Sequence, residues 1–443
     1  MILPRQEPVV SVGLLEAVPR VCFELKGEYL CGEAVCPAGR YEARARHDAV
    51  VLFDENGCVS ARQPELCLVP LDSPACSFAI ENISIGRSFH WERPCRQEFR
   101  GTLFFMRPAP GSLTAINRIH LERYLEAVVC SEMSPQSPPE FLKAHCVISR
   151  SWLLAQLQRK QASALRDGLN PGGMWTDAGV HRDFDVCADD HCQRYHGIGA
   201  VNSAACDALE QSRGEALVHD GAVCDTRFSK CCGGITERFS TAWEDRDVPY
   251  LRPVADCGSH AAGGFTPVGS EQDARRFICS SPRAYCNVED RELLERILPD
   301  FDRETRSFFR WTAVVSQTEL QDILLNKTGI DFGAIRAVEP LERGPSGRLY
   351  RIKISGEKQQ EVFGKELEVR RILSHTHLYS SAFVIDPLPG PAGIPDGFRL
   401  RGAGWGHGVG LCQIGAAAMA AGGKSYREIL AHYFRGAVPT RLY

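Results

Sequence analysis

AINRIHLERYLEAVVCSEMSPQSPPEFLKAHCVISR, residues 115–150, predicts two consecutive helices separated by a turn rich in serine and proline. In its first half, apolar side chains recur at the i, i+3, i+4 spacing of an amphipathic helix. This apolar stripe consists of Leu121, Tyr124, Leu125, Val128, Val129 and Met133. At about 100° per residue, Glu132 falls in the middle of the stripe. The first helix therefore carries a carboxylate on the face that we expect to be buried.

Two interpretations of Glu132 are open at this point. Burial disfavours the charged form of a carboxylate and raises its pKa, so a buried glutamic acid can donate a proton near neutral pH. Alternatively, the helix frays before Ser134-Pro135 and the side chain of Glu132 points into water. The first interpretation makes Glu132 a candidate acid catalyst, and the second makes it an ordinary surface residue.

The second helix is predicted to begin near Ser137, which can cap it, with Pro138 and Pro139 in the first turn. It continues through FLKAHCVISRSWLLAQLQRK, which is apolar on most sides. Lys143 and Arg150 lie seven residues apart and so align along the helix. They either border a cleft and hold a polar ligand, or extend to solvent as lysine and arginine side chains commonly do.

Composition excludes several classes of protein. The chain has 443 residues, of which 44% are apolar and 24% charged, enough material for two or three cores. The net charge of −4 offers no basic excess with which to neutralise nucleic-acid phosphates. No run of about 18 apolar residues is present, so no membrane span is expected. The first twenty residues lack the pattern of a secretory signal, so either the protein stays inside the cell or its signal has been removed.

Cysteine is unusually frequent, with 19 residues spread from Cys22 to Cys412. We expect mostly buried, reduced thiols, which behave as small apolar side chains. An oxidising compartment with several disulfides is the alternative. The adjacent Cys231 and Cys232 would form a strained bond with each other.

One tight cluster of metal-binding residue types lies in VHRDFDVCADDHCQRYHG, residues 180–197. His181, Cys187, His191 and Cys192 offer two imidazoles and two thiolates, enough for a closed tetrahedral zinc site. The spacing is not that of a standard zinc finger. A Cys187–Cys192 disulfide and a pair of free thiols are the alternatives. If zinc binds, four protein ligands leave no open position, and the site is structural.

The segment RGAGWGHGVGLCQIGA, residues 401–416, has glycine at every second position from Gly402 to Gly410. In an extended segment one face would then be bare backbone. Trp405 and His407 would share the other face with Val409 and Leu411. Trp405 offers a stacking surface for a sugar ring, and His407 either hydrogen-bonds the sugar or is a core histidine satisfied by backbone. Further on, Ser425 and Glu428 predict a helix with a capping box.

Before the first helix, residues 9–107 read as short strands separated by turns, with a tight-turn signal at Asn56-Gly57. The strand-like runs are VSVGL, RVCFEL, AVVLF, ELCLVPL, SFAIENISI and GTLFF. Strands and helices that occupy different parts of the chain predict an α+β fold.

Several of these segments together resemble the SpoIID/LytB family. YLEAVVCSEM and FLKAHCVISR resemble the segment that opens the family's core, and GAGWGHGVGLCQIGAAAMAAGG with YREILAHYF resembles the one that closes it. HCQRYHG, RFSKCCGGITE and PYL fit between them in order, so the resemblance covers about residues 9–440. It implies a β-rich region at 1–107 and a SpoIID-like α/β core with a substrate cleft at 108–443. Within this core, residues 258–310 are expected to be an insertion or a peripheral segment.

The resemblance implies a function on bacterial peptidoglycan. In a lytic transglycosylase of this family, Glu132 would be the general acid and base that cleaves the bond between N-acetylmuramic acid and N-acetylglucosamine. Lys143 and Arg150 match positions that help to hold the glycan, Tyr195 matches a tyrosine of the cleft, and Ser229 lies in a matching segment. Some members hold zinc through residues that resemble the His181–Cys192 cluster. A cell-wall amidase is the implied partner, and the cell envelope the implied location.

The sequence departs from the family pattern at two positions. Ser134 separates Met133 from Pro135 where the family usually has Glu-Met-Pro, which could shift the helix end that aims Glu132. Cys412 stands where serine is common, and we expect this change to matter little. Two other functions stay open: a glycan-binding amidase enhancer that does not cut, and a cytoplasmic protein that acts on another glycan.

Overall fold

A computed structural model of the chain describes residues 3–72, 75–86, 92–164, 181–258, 267–303 and 307–443. Within these residues, helices and strands are both abundant, and the strands form six separate sheets. The predicted α+β class is confirmed. Among the helices of the described ranges, none is both long and apolar enough to cross a bilayer.

Strands dominate the amino-terminal region, as its alternating pattern predicts. They are β1 (Val9–Val18), β2 (Arg20–Lys26), β3 (Tyr29–Cys31), β4 (Ala34–Cys36), β5 (Gly39–Arg46), β6 (Ala49–Asp54), β7 (Val59–Gln63), β8 (Leu66–Pro70), β9 (Ser77–Ile85), β10 (Arg93–Phe99), β11 (Thr102–Met106) and β12 (Leu113–His120). Each of the six predicted strand runs overlaps one of these strands. Asn56-Gly57 forms the predicted turn between the antiparallel strands β6 and β7, with Gly57 at φ +76°.

Two sheets built from these strands pack on each other. One has the order β10-β9-β2-β5-β6-β7, and the other contains β1-β12-β11-β8-β3-β4. Phe23 of β2 meets Phe105 of β11 across the interface, with ring centroids 5.4 Å apart. Strand β12 runs antiparallel to β1 and leads directly into the first helix. The β-rich region therefore fixes where the helix that carries Glu132 begins, and the domain boundaries stay predictions.

The helices described by the structure include both that the opening stretch predicts. They are α1 (Leu121–Glu132), α2 (Pro139–Ala164), α3 (Ser203–Gln211), α4 (Phe239–Ala242), α5 (Glu271–Ile278), α6 (Arg291–Ile297), α7 (Gln317–Thr328), α8 (Glu366–Ile372), α9 (Gln413–Ala421) and α10 (Tyr426–Tyr433). The predicted apolar stripe of α1 is fully buried. The capping box of Ser425 and Glu428 at α10 is confirmed. The expected cap at Ser137 is wrong, because its buried Oγ has no hydrogen-bond partner among the described residues.

The remaining strands form smaller sheets around the helices. They are β13 (Val186–Cys187), β14 (Glu215–His219), β15 (Ala222–Val223), β16 (Phe228–Ser229), β17 (Arg310–Ser316), β18 (Ile335–Arg343), β19 (Leu349–Gly356), β20 (Gln360–Phe363), β21 (Phe383–Leu388), β22 (Gly397–Ala403), β23 (Leu411–Cys412) and β24 (Val438–Arg441). Strand β13 adds to the first sheet in parallel with β1, and β16 pairs in parallel with β23.

Two large hydrophobic cores organise the described residues. The main core joins the amino-terminal sheets to α1, α2 and α9. A second core, between Trp311 and Leu400, is enclosed by the sheets β17-β22-β21 and β18-β19-β20 with helices α7 and α8. The chain returns from the second core to the main one through the glycine-rich segment.

This glycine-rich segment is not extended, contrary to the expectation from its alternation. Gly404, Gly406, Gly408 and Gly410 all have φ between +75° and +88°, in the left-handed region that glycine tolerates best. A Cβ at Gly408 would lie 2.4 Å from the guanidinium carbon of Arg348. Trp405 and His407 remain partly exposed, whereas Val409 and Leu411 are fully buried. The four side chains therefore do not share one face.

Candidate active site

Glu132, the last residue of α1, lines a cleft of about 530 Å³. The residue is buried, with only 8% of its surface exposed to solvent. The backbone N–H of Arg194 donates to Oε1 at 3.0 Å, and Nε2 of Gln413 donates to Oε2 at 3.4 Å. The alternative in which Glu132 points into water is therefore wrong. The carboxyl group is held in place by partners from distant parts of the chain.

Burial raises the pKa of Glu132 above its ordinary value, and the negative charge of Asp190 acts in the same direction. The positive charges of Arg194 and Lys230, together with the hydrogen bond from the Arg194 backbone, oppose this rise. Burial outweighs the opposing charges. The arrangement is that of a carboxyl group which keeps its proton at a higher pH than a surface glutamate does.

Charged residues that sequence reasoning missed surround the end of α1. Lys230 donates from Nζ to the backbone oxygen of Glu132 at 2.9 Å and lies 2.7 Å from a carboxylate oxygen of Asp302. Arg194 pairs with both Asp190 and Asp302. Because these buried charges are paired, they can remain ionised beside a neutral Glu132.

The sequence marks some of these residues but not others. Lys230 lies in RFSKCCGGITE and Gln413 in GLCQIG, both within the segments that carry the resemblance. Asp302 lies in the segment expected to be peripheral, and nothing in its local sequence marks it. Only the fold brings its carboxylate to Lys230.

Three of the predicted substrate residues line the cleft: Ser229, Trp405 and His407. The buried Oγ of Ser229 has no hydrogen-bond partner among the described residues. The ring of Trp405 stacks on that of Tyr379, with centroids 4.3 Å apart. A buried hydroxyl without a partner and an indole ring held rigidly are features of a surface that receives a ligand.

His407 has the contacts of a histidine satisfied by backbone, one of the two alternatives open from sequence. Its Nδ1 accepts from the backbone N–H of Val409 at 3.0 Å, and its ring also hydrogen-bonds the backbone of Phe228. Burial, together with nearby arginines, holds the pKa of His407 well below its ordinary value. The ring is therefore a neutral, fixed part of the cleft wall.

The described residues that line the cleft do not include Lys143, Arg150 or Tyr195. Arg150 is fully buried and makes two hydrogen bonds with Glu122, at 2.8 and 2.6 Å. The hydroxyl of Tyr195 donates to Oδ1 of Asn117 at 2.7 Å in the main core. Lys143 pairs with Glu140 at 2.7 Å. Direct contact of Arg150 or Tyr195 with a glycan does not fit this geometry, because both are enclosed by protein.

The predicted metal ligands do come together, on the wall of the same cleft. One donor atom from each of His181, Cys187, His191 and Cys192 lies within 4.8 Å of the others. Sγ of Cys192 is 3.5 Å from Nε2 of His181 and 3.5 Å from Nδ1 of His191. Sulfur and nitrogen ligands of one tetrahedral zinc ion are about 3.5 Å apart. The four groups therefore fit a single metal ion, and the cluster is a candidate metal site.

Comparison with known proteins identifies the family. Residues 109–219, which include α1 and the candidate metal ligands, match the family model described as Stage II sporulation protein. The chain is also 22% identical over 329 residues to stage II sporulation protein D of Bacillus amyloliquefaciens, which covers 73% of this chain and 74% of that one. These matches support the assignment of the chain to the SpoIID/LytB family. The resemblance found in the sequence is thereby confirmed.

Other relatives of this SpoIID/LytB protein extend the comparison. It is 28% identical over 344 residues to an uncharacterized protein of Brachyspira hyodysenteriae, with 76% of this chain and 71% of that one covered. It is 23% identical over 254 residues to the amidase enhancer of Bacillus subtilis, with 55% and 34% covered. Residues 237–410, which include the second core, match a family described only as a domain of unknown function, DUF8618.

Proposed function

We propose that this SpoIID/LytB protein is a peptidoglycan lytic transglycosylase with Glu132 as its general acid and base. The observation that carries the proposal is the buried carboxyl group of Glu132 in the cleft, with a pKa raised by burial. The substrate is a glycan strand, and the scissile bond joins N-acetylmuramic acid to N-acetylglucosamine. The similarity to stage II sporulation protein D and to an amidase enhancer supports a role in the cell wall.

The reaction proceeds by two proton transfers at one carboxyl group. Protonated Glu132 gives its proton to the glycosidic oxygen as the bond from that oxygen to the anomeric carbon breaks. The carboxylate then takes the proton from the C6 hydroxyl of the same muramic acid, whose oxygen bonds to the anomeric carbon. The products are a 1,6-anhydro end and a free hydroxyl on the leaving sugar. Oε1 accepts the shorter hydrogen bond, from the Arg194 amide at 3.0 Å, and Oε2 accepts a longer one from Gln413 at 3.4 Å, so we assign the proton exchange to Oε2.

This chemistry requires a single free carboxyl group. Hydrolytic glycosidases need a second one, as a nucleophile or to activate water. Among the described residues, four other acids line the cleft. Asp190 pairs with Arg194, Glu366 pairs with Arg370, and Oδ1 of Asp189 accepts from the backbone N–H of Gly86. Glu16 is exposed to solvent, whereas Glu132 is buried with a pKa raised by burial, which favours Glu132 as the proton donor.

The remaining wall of the cleft supports a peptide-free glycan as the substrate. Arg227 and Arg370 both line it, where they pair with the carboxylates of Asp225 and Glu366, respectively. Removal of the stem peptide leaves a free lactyl carboxylate on muramic acid, which would share these guanidinium groups. A guanidinium group is well suited to bind a carboxylate. Ser229 and Trp405 offer a hydroxyl and an aromatic surface to the sugar ring, as the sequence predicts.

The test compares Glu132→Gln with Glu126→Gln on peptide-free glycan strands. Glu126 lies on the same helix and is similarly buried, but it pairs with Arg100 and Arg123 away from the cleft. We expect anhydro-ended sugars, detected by mass spectrometry, from wild type and Glu126→Gln, and at least a 100-fold loss from Glu132→Gln. Full activity in folded Glu132→Gln would overturn the proposal.

Zinc is the metal that we propose for His181, Cys187, His191 and Cys192. Two thiolates and two imidazoles are the donor set of many structural zinc sites, and four protein ligands leave no position for substrate. Two residues beyond Cys192, the backbone of Arg194 donates to Glu132. A zinc ion here would hold the segment from Cys192 to Arg194 in place and so help to orient the carboxyl group of Glu132. We expect Cys192→Ser to release one zinc per chain in metal analysis, and an unchanged zinc content would contradict the assignment.

A non-catalytic amidase enhancer is the second candidate function, favoured by the similarity to the amidase enhancer of Bacillus subtilis. The same cleft would then bind glycan and present it to an amidase. Glycan binding by both wild type and Glu132→Gln, without any sugar product from wild type, would support this candidate. Either function places the protein in the cell envelope, and envelope fractionation of producing cells tests that location.

A further inference from the structure

A second cluster of metal-binding groups lies in the interior, apart from the one on the cleft wall. Cys232, Asp256, Cys286 and Cys412 are fully enclosed, and one donor atom from each lies within 4.8 Å of the others. Three segments that are distant in sequence supply them: the turn after β16, the stretch between the short 3₁₀ helix Pro249–Leu251 and α6, and the start of α9. The proposed catalytic steps do not use these residues.

The spacing of the sulfur atoms fits ligands of one metal ion. Sγ of Cys232 and Sγ of Cys286 are 3.6 Å apart. Two thiolates on a tetrahedral zinc ion, each at about 2.3 Å from the metal, are about 3.8 Å apart. A disulfide would bring the same atoms to about 2.05 Å. An iron–sulfur cluster would hold its ligands further apart than a single ion does, because several irons lie between them.

Two of the sulfur atoms accept backbone hydrogen bonds that would stabilise thiolates bound to a cation. The backbone N–H of Cys232 donates to Sγ of Cys412 at 3.2 Å, and the N–H of Gly234 donates to Sγ of Cys232 at 3.4 Å. Cys412 is also the N-cap residue of α9, where the helix dipole stabilises negative charge. Arg310 adds a nearby positive charge, and its guanidinium group donates a hydrogen bond to the backbone oxygen of Gly233 at 3.0 Å.

Asp256 is oriented as a fourth ligand. The backbone N–H of Cys286 donates to its Oδ2 at 2.9 Å, and the hydroxyl of Tyr433 donates to its Oδ1 at 2.5 Å. Such hydrogen bonds typically orient the carboxylates that bind metals. A carboxylate and three thiolates that are shut off from water require a cation to remain charged.

We propose that Cys232, Asp256, Cys286 and Cys412 bind a second, structural zinc ion in the interior of this protein. Thiolate-rich tetrahedral sites select zinc among the common divalent metals. Binding replaces the protons of the three thiols and of any protonated carboxyl group, with no change of oxidation state. The ion would also fix the start of α9, where Gln413 contacts Glu132. The proposal does not depend on the proposed catalytic function.

Metal analysis of the full-length protein, produced in zinc-containing medium and purified with a reductant, tests this site. The background variant is His181→Ala with Cys192→Ala, which removes the cluster on the cleft wall. We expect the background variant to retain one zinc per chain, and to lose it when Cys412→Ser is added. Cys224→Ala is the matched control, because Cys224 is equally buried but belongs to neither cluster, and it should leave the zinc content unchanged.

Cobalt substitution keeps the test decisive if Cys412→Ser does not fold. Replacement of zinc by Co²⁺ in the background variant should give a strong near-ultraviolet absorption from sulfur-to-cobalt charge transfer. Absence of both zinc and this absorption from the folded background variant would overturn the proposal. Detection of a Cys232–Cys286 disulfide by peptide mapping without reduction would overturn it as well.

Discussion

At the scale of single residues, the proposed function depends on the burial of one carboxyl group, that of Glu132. Helical periodicity placed Glu132 on the apolar face of α1 but left open whether the helix frays before it; the structure shows that the residue is buried. The pattern could not predict Lys230, Arg194 or Gln413, since their contacts with Glu132 come from segments 62 or more residues away. Candidate acids can therefore be found from local sequence, but the groups that adjust their pKa cannot.

Lys230→Gln should move the alkaline limb of the pH–activity profile to higher pH. The acid must be protonated, so activity falls as the pH rises through the pKa of Glu132. The positive charge of Lys230 lowers that pKa, and its removal therefore raises the pKa. Lys143→Gln is the control, because Lys143 pairs with Glu140 outside the cleft, and it should leave the limb in place. A limb that moves to lower pH in Lys230→Gln would contradict this description of the site.

Glu132→Gln should stabilise the protein at pH 7. A carboxyl group whose pKa is raised in the folded state destabilises the fold as the pH rises above its unfolded value of about 4.3. Glutamine has no such pH dependence. We expect a gain of about 0.5–2 kcal/mol in the free energy of unfolding at pH 7, and a smaller difference at pH 4. Urea titrations at both values measure this, and equal differences at the two pH values would contradict the raised pKa.

At the scale of elements, the helices were predictable and the glycine-rich segment was not. The amphipathic pattern predicted α1, and the largely apolar run to Lys160 predicted most of α2, which ends at Ala164. Alternating glycine, by contrast, wrongly suggested an extended strand. Glycine allows both extended and left-handed backbone, so the choice is made by neighbours such as Arg348, which packs against Gly408. Cys412, expected to matter little, instead lies in a buried cluster that only the fold assembles.

Arg150→Met should destabilise the protein through loss of the ion pair that joins α2 to α1. The substitution leaves the buried carboxylate of Glu122 without its bidentate partner, which costs about 3–5 kcal/mol. Adding Glu122→Gln removes the unpaired charge and should recover much of this loss, as measured by urea unfolding. If Arg150 instead held the glycan, the double variant would be stable but unable to bind glycan strands.

At the scale of the whole molecule, the second core forms part of the cleft wall through α8, which supplies Glu366 and Arg370. Buried polar contacts join the two cores: Oγ of Ser346 donates to Glu237 at 2.6 Å and accepts from Arg348 at 2.9 Å. Arg348 in turn donates to the backbone of Gly406 at 3.1 Å. The sequence did not reveal this core as a unit, because its strands and helices carry no distinctive motif.

Ser346→Ala should weaken the connection between the cores. It removes a donor to the buried carboxyl group of Glu237 and an acceptor for Arg348, at a cost of about 1–3 kcal/mol. Ser355→Ala, on the outer part of β19, should change stability by less than about 0.5 kcal/mol. Urea unfolding measures the stability of both variants. Equal stabilities would show that the contacts of Ser346 with Glu237 and Arg348 contribute nothing to the stability of the protein.

Cleavage of peptide-free glycan strands in water enriched in oxygen-18 distinguishes attack by the C6 hydroxyl from attack by water. Attack by the C6 hydroxyl uses no water, so we expect anhydro-ended products that carry no label. Reducing ends that contain the heavy isotope would mean that water attacks the anomeric carbon. That result would contradict a mechanism in which the single buried carboxyl group of Glu132 serves as both acid and base.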